Sequence, residues 1–361
     1  MKRILVLSAA LIALGLGRAP FASADGKGST GFNFLKIGAG ARQMAMANTA
    51  VAVDGDVNSG AYNPASLADL AQQELGFLHT QYLEGIQYQY AAYAHPYSIG
   101  TFGLALHRVA YGDIQGYDAQ NRKGSNINAS DTAIGLTYAK AVTRGLNLGL
   151  TGRYLKQDLG VAAAQGYSGD AGAVYRLPGN DWWSKLAAGA AVRNLGTKPV
   201  FIREATALPL QYDLGIAYVD WGGRLIGTFE VHKPKDQKLT YSAGAEVTTR
   251  RFLSIRAGYQ ADKDIGPNFT AGFGLLFWNE TLRFDYAFVP YENFGNVHRF
   301  GIVYRFGGIV KKYYRTGVRL MRAGKYAEAI LEFDKVLQQE PTHYMAARYM
   351  KMCAEQIKKE E

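Results

Sequence analysis

The chain has 361 residues, with 40 Lys and Arg against 30 Asp and Glu, a formal net charge of +10, 48 % hydrophobic residues and a mean hydropathy of −0.13. Glycine is abundant at 42 residues and tyrosine at 24, whereas cysteine occurs once. The apolar content excludes a disordered chain and the single cysteine excludes a disulfide scaffold or multi-cysteine zinc site. No apolar run of about 20 residues lies beyond the N-terminus, which excludes a helical membrane protein.

Met1-Lys2-Arg3 is a basic start, residues 4–17 form an apolar stretch, and Ala22-Ser23-Ala24 offers a small-x-small cleavage site before Asp25. Residues 1–24 are therefore expected to be a secretory signal peptide. The positive excess is spread over this leader, the central region and the C-terminal tail. No basic element is interleaved with aromatics, so nucleic acid is excluded as a partner.

Residues 25–73 are rich in Gly, Ala and Asn, do not alternate, and hold one expected short helix at 41–48. Asp54, Asp56 and Asn58 have the spacing of calcium ligands, but Ser59 and Ala65 occupy the positions where an EF-hand needs Gly and Glu. An EF-hand is rejected; a looser oxygen-lined cation site stays open. In Asn63-Pro64-Ala65 the Asn can cap or turn the backbone and the Pro fixes the φ angle after it.

From about Glu74 to Phe306 the pattern has period two, the mark of strands with two different faces. Leu146, Leu148 and Leu150 point one way while Asn147, Gly149, Thr151 and Arg153 point the other. Leu282, Phe284, Tyr286 and Phe288 alternate likewise with Arg283 and Asp285. About fourteen such segments are expected, near 74–82, 86–96, 101–111, 130–142, 146–157, 167–177, 185–195, 209–219, 224–233, 239–248, 252–260, 268–278, 281–289 and 297–306; the number is even, as a bacterial single-chain barrel requires. Short connections at 143–145, 221–223 and 249–250 tend to alternate with longer polar ones at 112–128, 158–166, 196–208 and 261–267. That alternation is the pattern of an outer-membrane barrel, and a soluble β-sandwich has no reason to keep it. Tyrosines and tryptophans near the expected strand ends fit the bilayer interface. Arg153, Arg256, Arg283 and Asp285 are expected to face the lumen.

After Gly307-Gly308 the period changes to 3.6. Gly317, Tyr326, Ala329 and Phe333, with Leu320, Gly324 and Pro341, match the spacing of one tetratricopeptide repeat. Gly317 and Ala329 would let two helices approach, Tyr326 and Phe333 would fill the cleft, and a further helix follows over about 342–359. One repeat buries too little to stand alone, so this TPR-like surface is expected to dock on a partner. An even strand number returns the chain to the side where it began, making the tail periplasmic.

Three resemblances follow from these residues. Gly301, Tyr304 and Phe306 resemble the C-terminal strand pattern read by the bacterial barrel-assembly machinery. Gly40-Ala41-Arg42 followed by Asn63-Pro64-Ala65 resembles the N-terminal plug of FadL-like barrels, a family with fourteen strands and a hatch in the lumen. Residues 283–290 and 295–306 look like the PorV/PorQ branch, the likeness covering about residues 30–307. It implies an all-β transmembrane barrel divided into a signal peptide (1–24), plug (25–73), barrel (74–308) and periplasmic α-helical tail (309–361), located in the bacterial outer membrane.

The six histidines show no metal spacing, and no nucleophile elbow or phosphate loop is present, so the expectation is no enzyme, no cofactor and no metal. Two functions remain. The PorV/PorQ likeness implies a secretion-associated component that binds or carries exported proteins, its partners being outer-membrane lipid, the barrel-assembly machinery and secretion-machine subunits or cargo. The wider FadL likeness implies a passive transporter of small hydrophobic molecules. Charged inward positions fit a greasy pathway poorly and favour the first.

Overall fold

The computed structural model describes residue 26 and residues 28–360, apart from residues 98, 118–119, 144, 161, 178–181, 250–251, 262–265, 279, 293–294, 323, 340 and 342. The expected signal peptide lies outside the described residues.

The strands are β1 (Gln73–Gln81), β2 (Gln87–Tyr97), β3 (Gly100–Tyr117), β4 (Lys123–Ala141), β5 (Leu146–Asp158), β6 (Ala163–Arg176), β7 (Leu186–Gly196), β8 (Val200–Phe201), β9 (Glu204–Ala205), β10 (Gln211–Asp220), β11 (Leu225–Pro234), β12 (Thr240–Thr249), β13 (Leu253–Gln260), β14 (Phe269–Phe277), β15 (Leu282–Pro290) and β16 (Asn296–Phe306). Among the described residues fourteen of them close a barrel in which each strand pairs antiparallel with its neighbours, while β8 and β9 form a separate two-stranded hairpin. Closure is made by β1 against β16, with Leu78 opposite Gly301 and Gln73 opposite Phe306.

The two faces are inverted relative to a water-soluble protein. Leu136, Leu150, Leu214 and Ile255 are each 58–63 % exposed on the outside, whereas Thr151, Arg153, Asp213 and Arg256 are buried inside. Such an apolar belt is stable only in hydrocarbon, where closing the ladder removes the open sheet edges. Tyr304, exposed on the outer face, stacks on Phe306 at 5.2 Å between ring centroids.

Two connections depart from expectation. The stretch 112–128 is not a polar loop: β3 and β4 run on as a paired ribbon to Tyr117 opposite Lys123, with register shifts after Ala110 and Gln115. Backbone pairing needs no apolar side chain, and beyond the lipid both faces can be polar, so the alternation that marks a strand disappears there. The long connection 196–208 carries the β8–β9 hairpin, whose Phe201 ring lies 6.0 Å from that of Phe32.

Residues 30–70 fill the lumen. They comprise a short helix α1 (Ala41–Ala45) and three 3-10 turns, Asn33–Lys36, Val57–Ala61 and Pro64–Asp69. After β16, Gly307 and Gly308 turn the chain with φ of 63° and 65°, left-handed values that side chains disfavour. The helices α2 (Ile309–Arg322), α3 (Tyr326–Gln339) and α4 (Tyr344–Glu360) then pack around Ala329, Phe333, Val336, Ala346 and Cys353. Gly317 is the point of close approach: a Cβ there would lie 2.7 Å from the Phe333 ring.

Candidate functional site

The inner plug is seated on glycine. Inward positions Gly149, Gly172, Gly189, Gly244 and Gly258 face its backbone or short side chains so closely that a Cβ at any of them would fall 1.9–2.4 Å from a plug atom. This belt explains part of the glycine excess: a wall bearing side chains at these points would hold the plug off.

Asn63 is the latch on one side. Its Oδ1 accepts from Ala65 N at 3.0 Å and caps the turn that begins at Pro64. Its Nδ2 lies 2.6 Å from Val51 O within the plug, 3.0 Å from Ala173 O on β6 and 3.5 Å from Ala190 O on β7. Ala65 is buried, with its backbone against Gly149. The side chain nearest a Cβ at position 172 would be Asn63 itself, at 1.9 Å.

On the other side lies a closed ring of alternating charges. Arg42 of α1 donates to both carboxylate oxygens of Glu246 on β12 at 2.8 Å. Glu246 also accepts from Arg256 of β13, whose Nη1 donates to Asp285 of β15 at 2.8 Å. Asp285 accepts from Arg283 Nε at 2.7 Å, and Arg283 Nη2 donates to Asp56 at 2.5 Å. Arg42 Nη1 donates to the same Asp56 oxygen at 3.2 Å and completes the circuit. The ring therefore holds three guanidinium groups and three carboxylates, all with side chains no more than 8 % exposed. Two members belong to the plug and four to the wall. Burial would raise the Asp56 carboxyl, but Arg283 and Arg42 outweigh it and hold it well below the usual carboxylate range.

Further contacts tie the plug around its circumference. Glu74 of β1 accepts from Val57 N at 2.9 Å and from Arg305 at 2.8 Å. Glu230 accepts from Val51 N at 2.6 Å, and Arg299 donates to Gly38 O at 2.8 Å. Arg193 pairs with Asp213 at 2.8 Å and stands over the Tyr62 ring at 5.6 Å. Arg153 pairs with Asp170 inside the lumen, apart from the ring that takes Arg256, Arg283 and Asp285. The Tyr62 hydroxyl lies 2.7 Å from both Ala39 O and Asn48 Oδ1, and burial pushes its phenol well above the usual value.

Several of these residues were not readable as functional from the sequence. Arg42 stood in the Gly-Ala-Arg element with no indication of its partner, and Glu246, Glu74 and Glu230 were lost among ordinary strand positions. Asp54 and Asp56, where a loose oxygen-lined cation site stayed open, are paired with Arg176 and with Arg42 and Arg283. Carboxylates on inward strand positions, which lipid-facing positions would not tolerate, were the available signal. Elsewhere, Gly301 lies inward, where a Cβ would meet Ala41 Cβ at 3.4 Å, and Tyr326 packs half-buried against the tail core.

A fourteen-strand barrel with an apolar exterior, a polar lumen and an N-terminal segment bound inside it is an outer-membrane protein of FadL-like fold. The Ralstonia pickettii toluene transporter TbuX aligns at 14 % identity over 75 % of this chain and 99 % of its own, with a TM-score of 0.51. A Pseudomonas aeruginosa FadL homologue aligns at 12 % identity over 74 % of this chain and 98 % of its own, also with a TM-score of 0.51. At such identities the likeness extends to the fold alone. Residues 23–201, the plug and the first seven barrel strands, match the family model of the type IX secretion system protein PorV. Over that stretch, just under half of its length, the chain is similar to PorV. No curated protein sequence matches it.

Proposed function

We propose that this barrel works in protein secretion, binding or carrying exported proteins at the outer membrane. The observation that carries the reading is the neutral six-member charge ring joining Arg42 and Asp56 of the plug to the wall. A lumen closed by buried ion pairs has no greasy path for an apolar solute, and opening it would strand charges in a low dielectric. The barrel then serves as a plugged scaffold whose rims and tail meet other proteins.

In this reading residues 25–73 are the plug, 74–308 the barrel and 309–361 a periplasmic helical tail of TPR-like ancestry. Gly317, Tyr326, Ala329 and Phe333 build the core of that tail, and its outer faces would take a polypeptide partner. Gly301, Tyr304 and Phe306 would be read by the barrel-assembly machinery, and lipid covers the outer belt.

Affinity purification from outer membranes in mild detergent tests the proposal. Recovery of secretion-machine subunits or exported proteins supports it. Co-purification of hydrophobic small molecules alone, with their uptake lost and secretion intact on deletion of the protein, would establish passive transport in its place. Removing residues 309–361 tests the tail separately, and unchanged partners would end its assigned role.

A further inference from the structure

We propose that the cavity between the plug and the long-connection end of the barrel binds a small oxyanion. This site is independent of the secretion reading. The cavity has a volume of about 270 Å³ and is walled by Lys36 and Tyr62 of the plug, Arg153 of β5, Arg193 of β7 and His232 of β11. That size suits a phosphate, a sulfate or a small carboxylic acid and lies below the usual range for larger ligands.

Three ion pairs meet there, and all three are turned the same way. The Lys36 side chain is 24 % exposed and that of its partner Asp236 0 %. For Arg193 and Asp213 the values are 13 % and 0 %, and for Arg153 and Asp170 they are 6 % and 0 %. Each cation stands at the cavity while its carboxylate is sealed behind it. Among the described residues, none lining the cavity is acidic.

The orientation is built from behind. Asp213 accepts from Arg193 at 2.8 Å, from His232 Nδ1 at 2.7 Å and from Gln211 at 2.6 Å, so its lone pairs are spent within the wall. Asp170 accepts from Asn194 N at 2.8 Å as well as from Arg153. Asp236 accepts from Thr30 Oγ1 at 2.7 Å as well as from Lys36. An arriving anion would therefore meet cations and amides without displacing any carboxylate. The cavity at the opposite end, with a volume of about 470 Å³, is different: Asp54, Glu246 and Glu280 line it together with its arginines. Six arginines line that cavity against two here, yet they do not make an anion site when carboxylates share the surface.

The full chain, purified in detergent, would be titrated with inorganic phosphate, sulfate or citrate at constant ionic strength, with chloride and neutral glucose as controls. Thermal unfolding and calorimetry give the readout. A saturable rise in melting temperature is expected with at least one of the three anions. Preference for phosphate or sulfate would identify a phosphoryl or sulfuryl ligand, and preference for citrate a carboxylate. Lys36→Met and Arg193→Gln should each weaken binding about tenfold or more. Lys36→Met is the safeguard, because Arg193 also supports the plug and its loss could unfold the site. Absence of a saturable effect with all three anions, equal affinity in Lys36→Met, or saturation by glucose instead would overturn the proposal.

Discussion

Replacing Asp56 with Asn removes one charge from the ring and turns the Oδ2 acceptor shared by Arg42 and Arg283 into an amide donor. The shape is kept, and the amide oxygen can still accept from Asn58 N, which now donates to Asp56 Oδ1 at 2.9 Å. The ring is left with three guanidinium groups and two carboxylates, so Arg42 and Arg283 face one another across a neutral amide. Breaking a buried pair by removing one partner costs about 3–5 kcal/mol, because an uncompensated charge remains in a low dielectric. At about 1.4 kcal/mol per tenfold change, the displaced plug should become more populated by roughly two to nearly four orders of magnitude. Planar-bilayer recordings of the reconstituted protein should then show frequent openings where the parent is closed, with a lowered melting temperature. Adding Arg42→Gln removes both plug members and leaves the wall series Glu246–Arg256–Asp285–Arg283 neutral and intact. The double variant should therefore be less destabilised than the sum of the single changes by about 1–3 kcal/mol. A silent Asp56→Asn variant in both assays, or strict additivity in the double, would refute the ring as the lock.

Asn63→Ala removes the donor to three carbonyls and should cost about 1–3 kcal/mol, read as faster protease cleavage within residues 30–70. Gly172→Ala should reproduce that effect, since its Cβ would fall 1.9 Å from Asn63 Oδ1, and combining the two should add little. Gly317→Val should open the α2–α3 contact at a cost of about 1–3 kcal/mol, lowering helical content while the barrel keeps its resistance to denaturation by detergent. Leu150→Arg places a charge on the lipid face and should cost about 2–4 kcal/mol if the site lies near the bilayer midplane, seen as reduced assembly into membranes.

The strand count was legible because alternation is a local property. Leu148 and Leu150 face lipid and Asn147 and Thr151 face the lumen as consequences of a two-residue period, whatever lies across the barrel. Asn63 could be read as a cap from its place before Pro64, but not its reach to β6 and β7. The extension of β3 and β4 was hidden because, outside the bilayer, water no longer imposes different chemistry on the two faces.

Sequence alone determined the class of the protein, since hydrophobic period and connection length are written residue by residue along the chain. Tertiary structure decided how the lumen is closed. Arg42 and Glu246 are 204 positions apart, and Asp56 and Arg283 are 227 apart. No local pattern pairs such residues. Only closure of the barrel around the plug brings them within hydrogen-bonding distance, where burial makes each charge depend on its partners.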